Sequence, residues 1–283
     1  MKGIGADEIK VIQEIAGSML EEYREQYREE PPIRADIFKL LGEKARLVFY
    51  PLDNEPDLDG FHVHRFVGTS LTSFVYINTA KPYEKNIFCA AHELGHVCEI
   101  EKTIADRCPE CELSSEMIDA IMNRFAAELL MPEVLFKSRL DTVMGRILSD
   151  ADDGTVEDVL LMIVALMNYF YVPYKAVVIR LKEIDFITED GKTVLERIEQ
   201  EYPEILKLVS FRDKDVWIGQ KTRRKEIDGL AQRLVFAEQN ALFSKEKIRE
   251  LREAFDILPE EMESQLSQSG KTLFQQGHRT EEQ

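Results

Sequence analysis

Two histidines and a glutamate occur together in the run Ile87-Phe88-Cys89-Ala90-Ala91-His92-Glu93-Leu94-Gly95-His96. The hydrophobic residues around them recur at helical spacing, so the sequence predicts a helix from about residue 84 to residue 101. Because His92 and His96 are four residues apart, that helix carries both imidazoles on one face. Two nitrogen ligands of a tetrahedral zinc ion require this arrangement. The alternative interpretation is that both histidines are buried on an ordinary core helix.

Glu93 is the candidate general base of this predicted zinc site. It projects near the open side of the two histidines. Zinc lowers the pKa of a bound water towards neutrality, and Glu93 can accept the proton from that water. The same carboxylate can later return the proton to the leaving amine of a broken peptide bond. The run therefore predicts a hydrolytic centre with Zn²⁺ as its cofactor.

A catalytic zinc needs a third protein ligand and keeps its fourth position for water. The candidates lie on a second predicted helix, from about residue 114 to residue 130. Asp119 and Asn123 share one face of it, so Asp119 is the predicted ligand and Asn123 the predicted hydrogen-bond partner of a ligating histidine. Glu128 is the alternative ligand, and Glu116 ranks third. Asp119 and Glu128 lie half a turn apart, so a straight helix cannot turn both towards the zinc.

Three strand-like runs precede the histidine helix and predict a small, mainly antiparallel sheet. They are residues 46–50, 61–66 and 73–78. Helices are predicted at about residues 8–28, 35–44 and 134–148, with two or three short ones in 156–187 and charged helical sequence from about 190. The fold class is therefore α+β, with a mainly helical core followed by helical segments. The strand that ends at Asn78 offers a place for an extended peptide to add, if it lies at an edge.

The composition is that of an ordinary soluble protein, with 44% hydrophobic and 31% charged residues. The first eight residues turn acidic without a hydrophobic signal region, so we expect a cytoplasmic protein without membrane association. The net charge of −17 disfavours direct nucleic-acid binding and suits a basic protein partner. The one basic cluster, Lys221-Thr222-Arg223-Arg224-Lys225, is interpreted as a solvated helix face.

The four cysteines are Cys89, Cys98, Cys108 and Cys111. A reducing compartment argues against structural disulfides. The C-x-x-C pair Cys108 and Cys111 could be a redox pair, or half of a second metal site completed by Cys98 and by His62 or His64. Reduced thiols without a metal are the default expectation.

Two further sets of motifs accompany the histidine run. Asp59-Gly60 and Tyr76-Ile77-Asn78 precede it, and Asn123-Arg124-Phe125-Ala126-Ala127-Glu128-Leu129-Leu130-Met131-Pro132 follows it. Over about residues 8–187, these motifs resemble the ImmA/IrrE family of metallopeptidases. The resemblance implies a cytoplasmic, site-specific endopeptidase that cuts helix-turn-helix transcriptional repressors in phage, mobile-element or stress-response circuits. A basic repressor would suit the acidic charge.

The same resemblance implies the domain organisation. Residues 1–150 form the expected zinc peptidase core, and residues 151–190 include a run, 172–187, that resembles the family's helix-turn-helix-like segment. That segment is mostly apolar, so packing or partner binding is expected rather than DNA binding. Residues 191–283 form a charged helical region without an assigned role. The family usually has a glutamate at the position of Asp119, which keeps open a second interpretation, a zinc-binding regulator that binds a transcription factor without cutting it.

Overall fold

The structure, a computed structural model, describes residues 4–147, 155–201 and 219–257. Helices dominate the described part, and one small four-stranded sheet lies near the start of the chain. The α+β class predicted from the sequence is therefore confirmed. Part of the charged region predicted to be helical, residues 191–283, lies outside the described ranges.

The sheet contains β1 (Arg46–Tyr50), β2 (Gly60–Val67), β3 (Ser70–Asn78) and β4 (Glu226–Ile227), in the order β2-β3-β1-β4. β3 is antiparallel to β2 but parallel to β1, and β1 is antiparallel to β4. The strand that ends at Asn78 does not lie at an edge, because β3 is an inner strand with β2 and β1 as its neighbours, so it offers no place for a peptide to add. Its last four residues are all buried. The edge beside the histidine helix is formed by β2.

The helices follow the predicted hydrophobic periodicity closely. They are α1 (Ala6–Tyr27), α2 (Ile37–Lys44, after a 3₁₀ turn at Arg34–Asp36), α3 (Tyr83–Val97), α4 (Ile100–Arg107), α5 (Ser115–Leu130), α6 (Glu133–Ile147), α7 (Val156–Phe170), α8 (Tyr174–Glu183), α9 (Glu189–Glu201), α10 (Leu230–Gln239) and α11 (Lys245–Ala254). The predicted helix over residues 84–101 is in fact two helices. It breaks because Glu99 adopts a left-handed conformation with φ of 53°.

The closest helix packing in the core lies between α3 and α5. Gly95 of α3 makes it possible, because a Cβ atom there would lie 2.6 Å from Sδ of Met122 and 3.1 Å from Cδ1 of Phe125. Both of these α5 side chains are completely buried. The missing side chain at Gly95 therefore lets α5 approach the face of α3 that carries the histidines.

Asn78 fixes the connection from the sheet to α3. Its buried side chain accepts hydrogen bonds from the backbone N–H of Leu52 and Ala80, and it donates to the carbonyls of Leu52 and Leu58. Its own carbonyl accepts from Nδ2 of Asn86 on α3, at 2.8 Å. One amide side chain thus joins the end of β3, the loop before β2 and the start of the histidine helix.

Gly60 sets the distance between β2 and α3. A Cβ atom at this position would lie 2.5 Å from the backbone oxygen of Tyr76 and 2.6 Å from Sγ of Cys89. Real side chains cannot occupy such positions, so the start of β2 can lie this close to α3 only with glycine here. This explains the Asp59-Gly60 motif and brings the following residues of β2 over the histidine helix.

Residues 219–228 run from the start of α3 to β1. Their backbone forms hydrogen bonds with that of Tyr83, Thr79 and Leu47. Arg223 makes a bidentate ion pair with Asp53, at 2.9 and 2.7 Å, and Arg224 stacks over the ring of Phe49. β4 then pairs with β1. The prediction of a helix at this basic cluster is therefore wrong, since residues 221–225 are not helical. The cluster is mostly exposed to solvent, as predicted, and Arg223 pairs with the exposed Asp53.

α7 and α8 meet at an angle of 105°. Most of the α8 surface is buried in the main core, and its buried residues are Tyr174, Ala176, Val177, Val178, Arg180 and Leu181. No single helix in the described ranges is long and apolar enough to cross a membrane, although the bent α7–α8 pair meets that test by length and composition. The division of the chain at residues 150 and 190 stays a prediction.

Candidate metal centre

His92 and Asp119 face each other across the contact between α3 and α5. Nε2 of His92 lies 3.6 Å from Oδ1 of Asp119. Two ligands at about 2.0–2.1 Å from one tetrahedral zinc would lie about 3.3 Å apart. The pair is therefore spaced as two ligands of a single metal ion would be.

Asn123 determines which nitrogen of His92 is free. Nδ2 of Asn123 donates to Oδ2 of Asp119 at 3.0 Å, so its Oδ1 accepts the hydrogen bond from Nδ1 of His92 at 3.1 Å. The neutral imidazole then carries its lone pair on Nε2, the atom that faces Asp119. This is the outer partner that metal-binding histidines usually have.

His96 lies one helical turn beyond His92, with 5.1 Å between the ring centroids. Burial lowers the pKa of His96 to about 4, and the neighbouring His92 and His62 add to the effect. The imidazole is therefore neutral at physiological pH, with a lone pair available for a metal. These donors fit a zinc ion, which favours imidazole nitrogen and carboxylate oxygen.

Glu93 is buried, with only 6% of its surface exposed. Its Oε2 lies 3.1 Å from Nδ1 of His62, on β2. His62 also stacks on His96, with 4.7 Å between ring centroids and 21° between the planes. Ligand atoms of His62, Glu93 and His96 all lie within 4.8 Å of one another, so this group too could hold a metal ion.

Sequence reasoning did not connect His62 with Glu93. It considered His62 only as a partner of the cysteines. The sequence pattern that could have pointed to His62 is the alternation in β2, which places His62 and His64 on one face of the strand. The register that sets His62 opposite Val75 of β3 is not visible in a single strand.

Glu128, the alternative third ligand, lies in a buried ion-pair network. Arg180 donates to both of its carboxylate oxygens, at 3.0 and 2.6 Å, and Arg124 and Gln13 donate to Oε1. Arg180 and Arg124 also pair with Glu183. Burial alone would raise the pKa of Glu128, but the two arginines outweigh it and keep the pKa below its ordinary value. The carboxylate is thus saturated with cationic partners.

Glu116, the third-ranked ligand candidate, lies in the first turn of α5. Its exposed carboxylate accepts a hydrogen bond from Oγ of Ser114 at 2.8 Å, beside the N-terminus of the helix. That hydrogen bond lowers the pKa of Glu116. The structure therefore brings Asp119 to His92, and it gives Glu116 and Glu128 other partners. Among the described residues, the group whose ligand atoms all lie within 4.8 Å of one another is His62, Glu93 and His96, and it includes neither His92 nor Asp119.

The segment that carries these residues also matches a known family. Residues 47–182 fit the family model described as Peptidase_M78, the IrrE N-terminal-like domain. They belong to this family. The resemblance predicted from the motifs is therefore confirmed, and the family is of the metallopeptidase type. No curated protein and no solved structure matches the chain.

A cavity of about 1020 Å³ opens beside His92 and Glu93. The IrrE N-terminal-like domain supplies most of its walls, from α3, α5 and α8, and α1 and α9 complete it. Apolar lining comes from Ile9, Phe88, Ala127, Ala176 and Ile179. Carboxylates outnumber cations in the lining, with Asp57, Asp59, Glu93, Asp119, Glu183 and Glu199 against Lys85, Arg124 and Lys175.

The four cysteines are all free thiols. Burial raises the pKa of Cys108 and of Cys111, and the nearby carboxylate of Glu8 raises both further. Such thiols are poor nucleophiles and poor redox partners. Within the described ranges, the group of metal-binding side chains in the IrrE N-terminal-like domain contains no cysteine.

Proposed function

We propose that this chain is a zinc-dependent, site-specific endopeptidase that cleaves a basic helix-turn-helix transcriptional repressor in the cytoplasm. One observation carries the proposal. Nε2 of His92 faces Oδ1 of Asp119 at 3.6 Å, while Asn123 occupies the other nitrogen of the ring. A pair of ordinary core histidines would have no reason to meet a carboxylate in this way.

In this proposal zinc binds His92, His96 and Asp119. Asp119 is preferred over Glu128 because Arg180 and Arg124 already neutralise Glu128, and it would have to leave both to reach a metal. The Asp119 side chain is 66% exposed, so it can adjust its position without disturbing the core. Three protein ligands leave the fourth position open, as catalytic zinc sites do.

Bound zinc would supply Lewis-acid chemistry, polarising the scissile carbonyl and lowering the pKa of water. Glu93 is positioned to accept the proton of the attacking water and to return it to the leaving amine. By accepting the hydrogen bond from Nδ1 of His92, Asn123 holds that ring in the tautomer whose Nε2 can bind zinc. An extended segment of the substrate can pair with the outer edge of β2, beside these residues.

The substrate class follows from charge and from the family. The net charge is −17, and the cavity beside Glu93 is lined by more carboxylates than cations. Such a surface attracts a basic protein and speeds its association. DNA-binding repressors are basic where they contact phosphate, which agrees with the substrates implied by the family resemblance.

The test mixes the zinc-loaded full chain with purified helix-turn-helix repressors from the same genome, one repressor at a time. Mass spectrometry should find one pair of complementary fragments from the parent protein. Glu93→Gln should bind zinc and lose cleavage by at least about 100-fold, since general acid–base catalysis contributes about 10²–10⁴. Glu116→Gln, a matched change on the exposed start of α5, should cleave at the parent rate. Cleavage by Glu93→Gln at the parent rate would refute the mechanism.

Metal analysis tests the ligands separately. Asp119→Ala should lose most of its zinc, whereas Glu116→Gln should retain it. Full zinc content in Asp119→Ala would remove Asp119 from the site.

A non-catalytic zinc-binding regulator is the second candidate, and Asp119 in place of the usual glutamate favours it. The same mixture of the chain and the repressor distinguishes the peptidase from the regulator. Fragments support a peptidase, whereas an intact repressor in a stable complex supports a regulator.

A further inference from the structure

We propose that His62 is a positioning residue that holds the Glu93 carboxylate in its reactive orientation. This inference rests on the proposed function and extends its mechanism to a residue outside the histidine helix. It is carried by the contact between β2 and α3, where Nδ1 of His62 lies 3.1 Å from Oε2 of Glu93.

Glu93 needs such a partner because it is a buried carboxylate. Burying a carboxylate is costly unless the carboxylate is hydrogen-bonded. Among the hydrogen bonds of the described residues, the one that reaches the Glu93 carboxylate comes from His62. A general base that lacked this bond would be free to rotate away from the substrate.

The bond also fixes the state of the His62 ring. A carboxylate that serves as a base accepts hydrogen bonds, so the proposal requires the tautomer of His62 in which Nδ1 carries the proton and donates it to Glu93. The ring of His62 is stacked on the ring of His96, with 4.7 Å between the ring centroids. The pairing of His62 with Val75 in the sheet fixes its backbone.

A role as a metal ligand is the alternative, because ligand atoms of His62, Glu93 and His96 lie within 4.8 Å of one another. In the proposed function, however, His92, His96 and Asp119 are the three protein ligands of the catalytic centre. His62 as a fourth ligand would close the site in the manner of structural zinc and would leave no position for water. His62 therefore acts on the reaction through Glu93.

Substitutions at His62 separate these roles. His62→Leu removes the donor, whereas His62→Asn keeps an N–H group on the atom that corresponds to Nδ1. Outer partners of this kind contribute about 10–100-fold. We expect kcat for the repressor that the parent cuts to fall by about that factor in His62→Leu, with KM little changed, and to recover in His62→Asn. Both variants should retain the zinc content of the parent.

His64→Ala is the matched control, because His64 is an exposed histidine on the same strand and bonds to Ser73 rather than to Glu93. Its kcat should equal that of the parent. Parent-like kcat in His62→Leu would overturn the proposal, as would the loss of zinc from that variant, which would make His62 a ligand.

A second measurement does not depend on cleavage. Long-range ¹H–¹⁵N spectra of the zinc-loaded parent resolve the tautomers of its five histidines, and His62→Asn assigns the signal of His62. The Nδ1–H tautomer supports the proposal. The Nε2–H tautomer or a metal-bound nitrogen overturns it. If the parent does not cut the repressor, the proposed function fails, while these spectra still decide whether His62 donates to Glu93.

Discussion

The buried pair of Arg180 and Glu128 gives the strongest quantitative test of the structure. Arg180 has no exposed surface, and it donates to both oxygens of Glu128 and to one oxygen of Glu183. Arg180→Met keeps the apolar stem and removes the charge. Removing one partner of a buried pair costs about 3–5 kcal/mol, because a buried charge is left without compensation. Arg124 still contacts both glutamates, so we expect the lower end, about 3 kcal/mol.

Urea unfolding followed by circular dichroism measures this loss. Thermal unfolding should show a Tm about 6–12 °C lower, at about 2–4 °C for each kcal/mol in a domain of this size. Glu128→Gln combined with Arg180→Met should cost less than the sum of the single changes, by about 0.5–3 kcal/mol, because the two residues interact directly.

The control is Arg197→Met on α9. Arg197 is exposed and lies 3.4 Å from Glu201, and such surface pairs contribute about 0–1 kcal/mol. The reasoning is refuted if Arg180→Met costs no more than Arg197→Met, or if the double variant costs the full sum.

Two further predictions concern acid stability and the approach of β2 to α3. The folded pKa of Glu128 lies below its ordinary value of 4.5, so this carboxylate stabilises the protein above pH 4.5 and the contribution is lost as the pH falls through the folded pKa. The urea midpoint of the parent should therefore fall below pH 4.5 more steeply than that of Glu128→Gln, and equal slopes would contradict this. Gly60→Ala should cost about 1–3 kcal/mol by overpacking against Tyr76 and Cys89. Gly17→Ala, in α1 with open space around it, should instead stabilise by up to about 1 kcal/mol, and thermal melts that rank the two changes the other way would be inconsistent with the packing.

The local parts of this fold and site are predictable from the sequence because helical spacing fixes faces. The four-residue separation of His92 and His96 places both rings together, and the same spacing in α5 joins Asp119 to Asn123. It also turns Glu128 away, towards Arg180. Each of these relations lies within one helix, where the period of 3.6 residues decides which side chains are neighbours.

The parts that sequence reasoning missed depend on contacts between distant segments. Alternation identifies β3 as a strand, but it does not say that β1 will pair with it in parallel or that β2 will take the edge. The partner of Glu93 is a residue of that edge strand, His62. The docking of Arg223 on Asp53 spans 170 positions of the chain, and no periodicity connects them.

The short strand β4 has a consequence for self-association. A sheet with an unpaired strand at each edge can add further copies of the protein at both edges, and this association has no fixed end. Here the backbone of Glu226 and Ile227 pairs with part of the outer edge of β1. Among the described strands, β2 lies at the opposite edge of the sheet. Pairing of two copies through β2 would occupy that edge in both of them, and the described strand left at the outside of each sheet would be the two-residue β4.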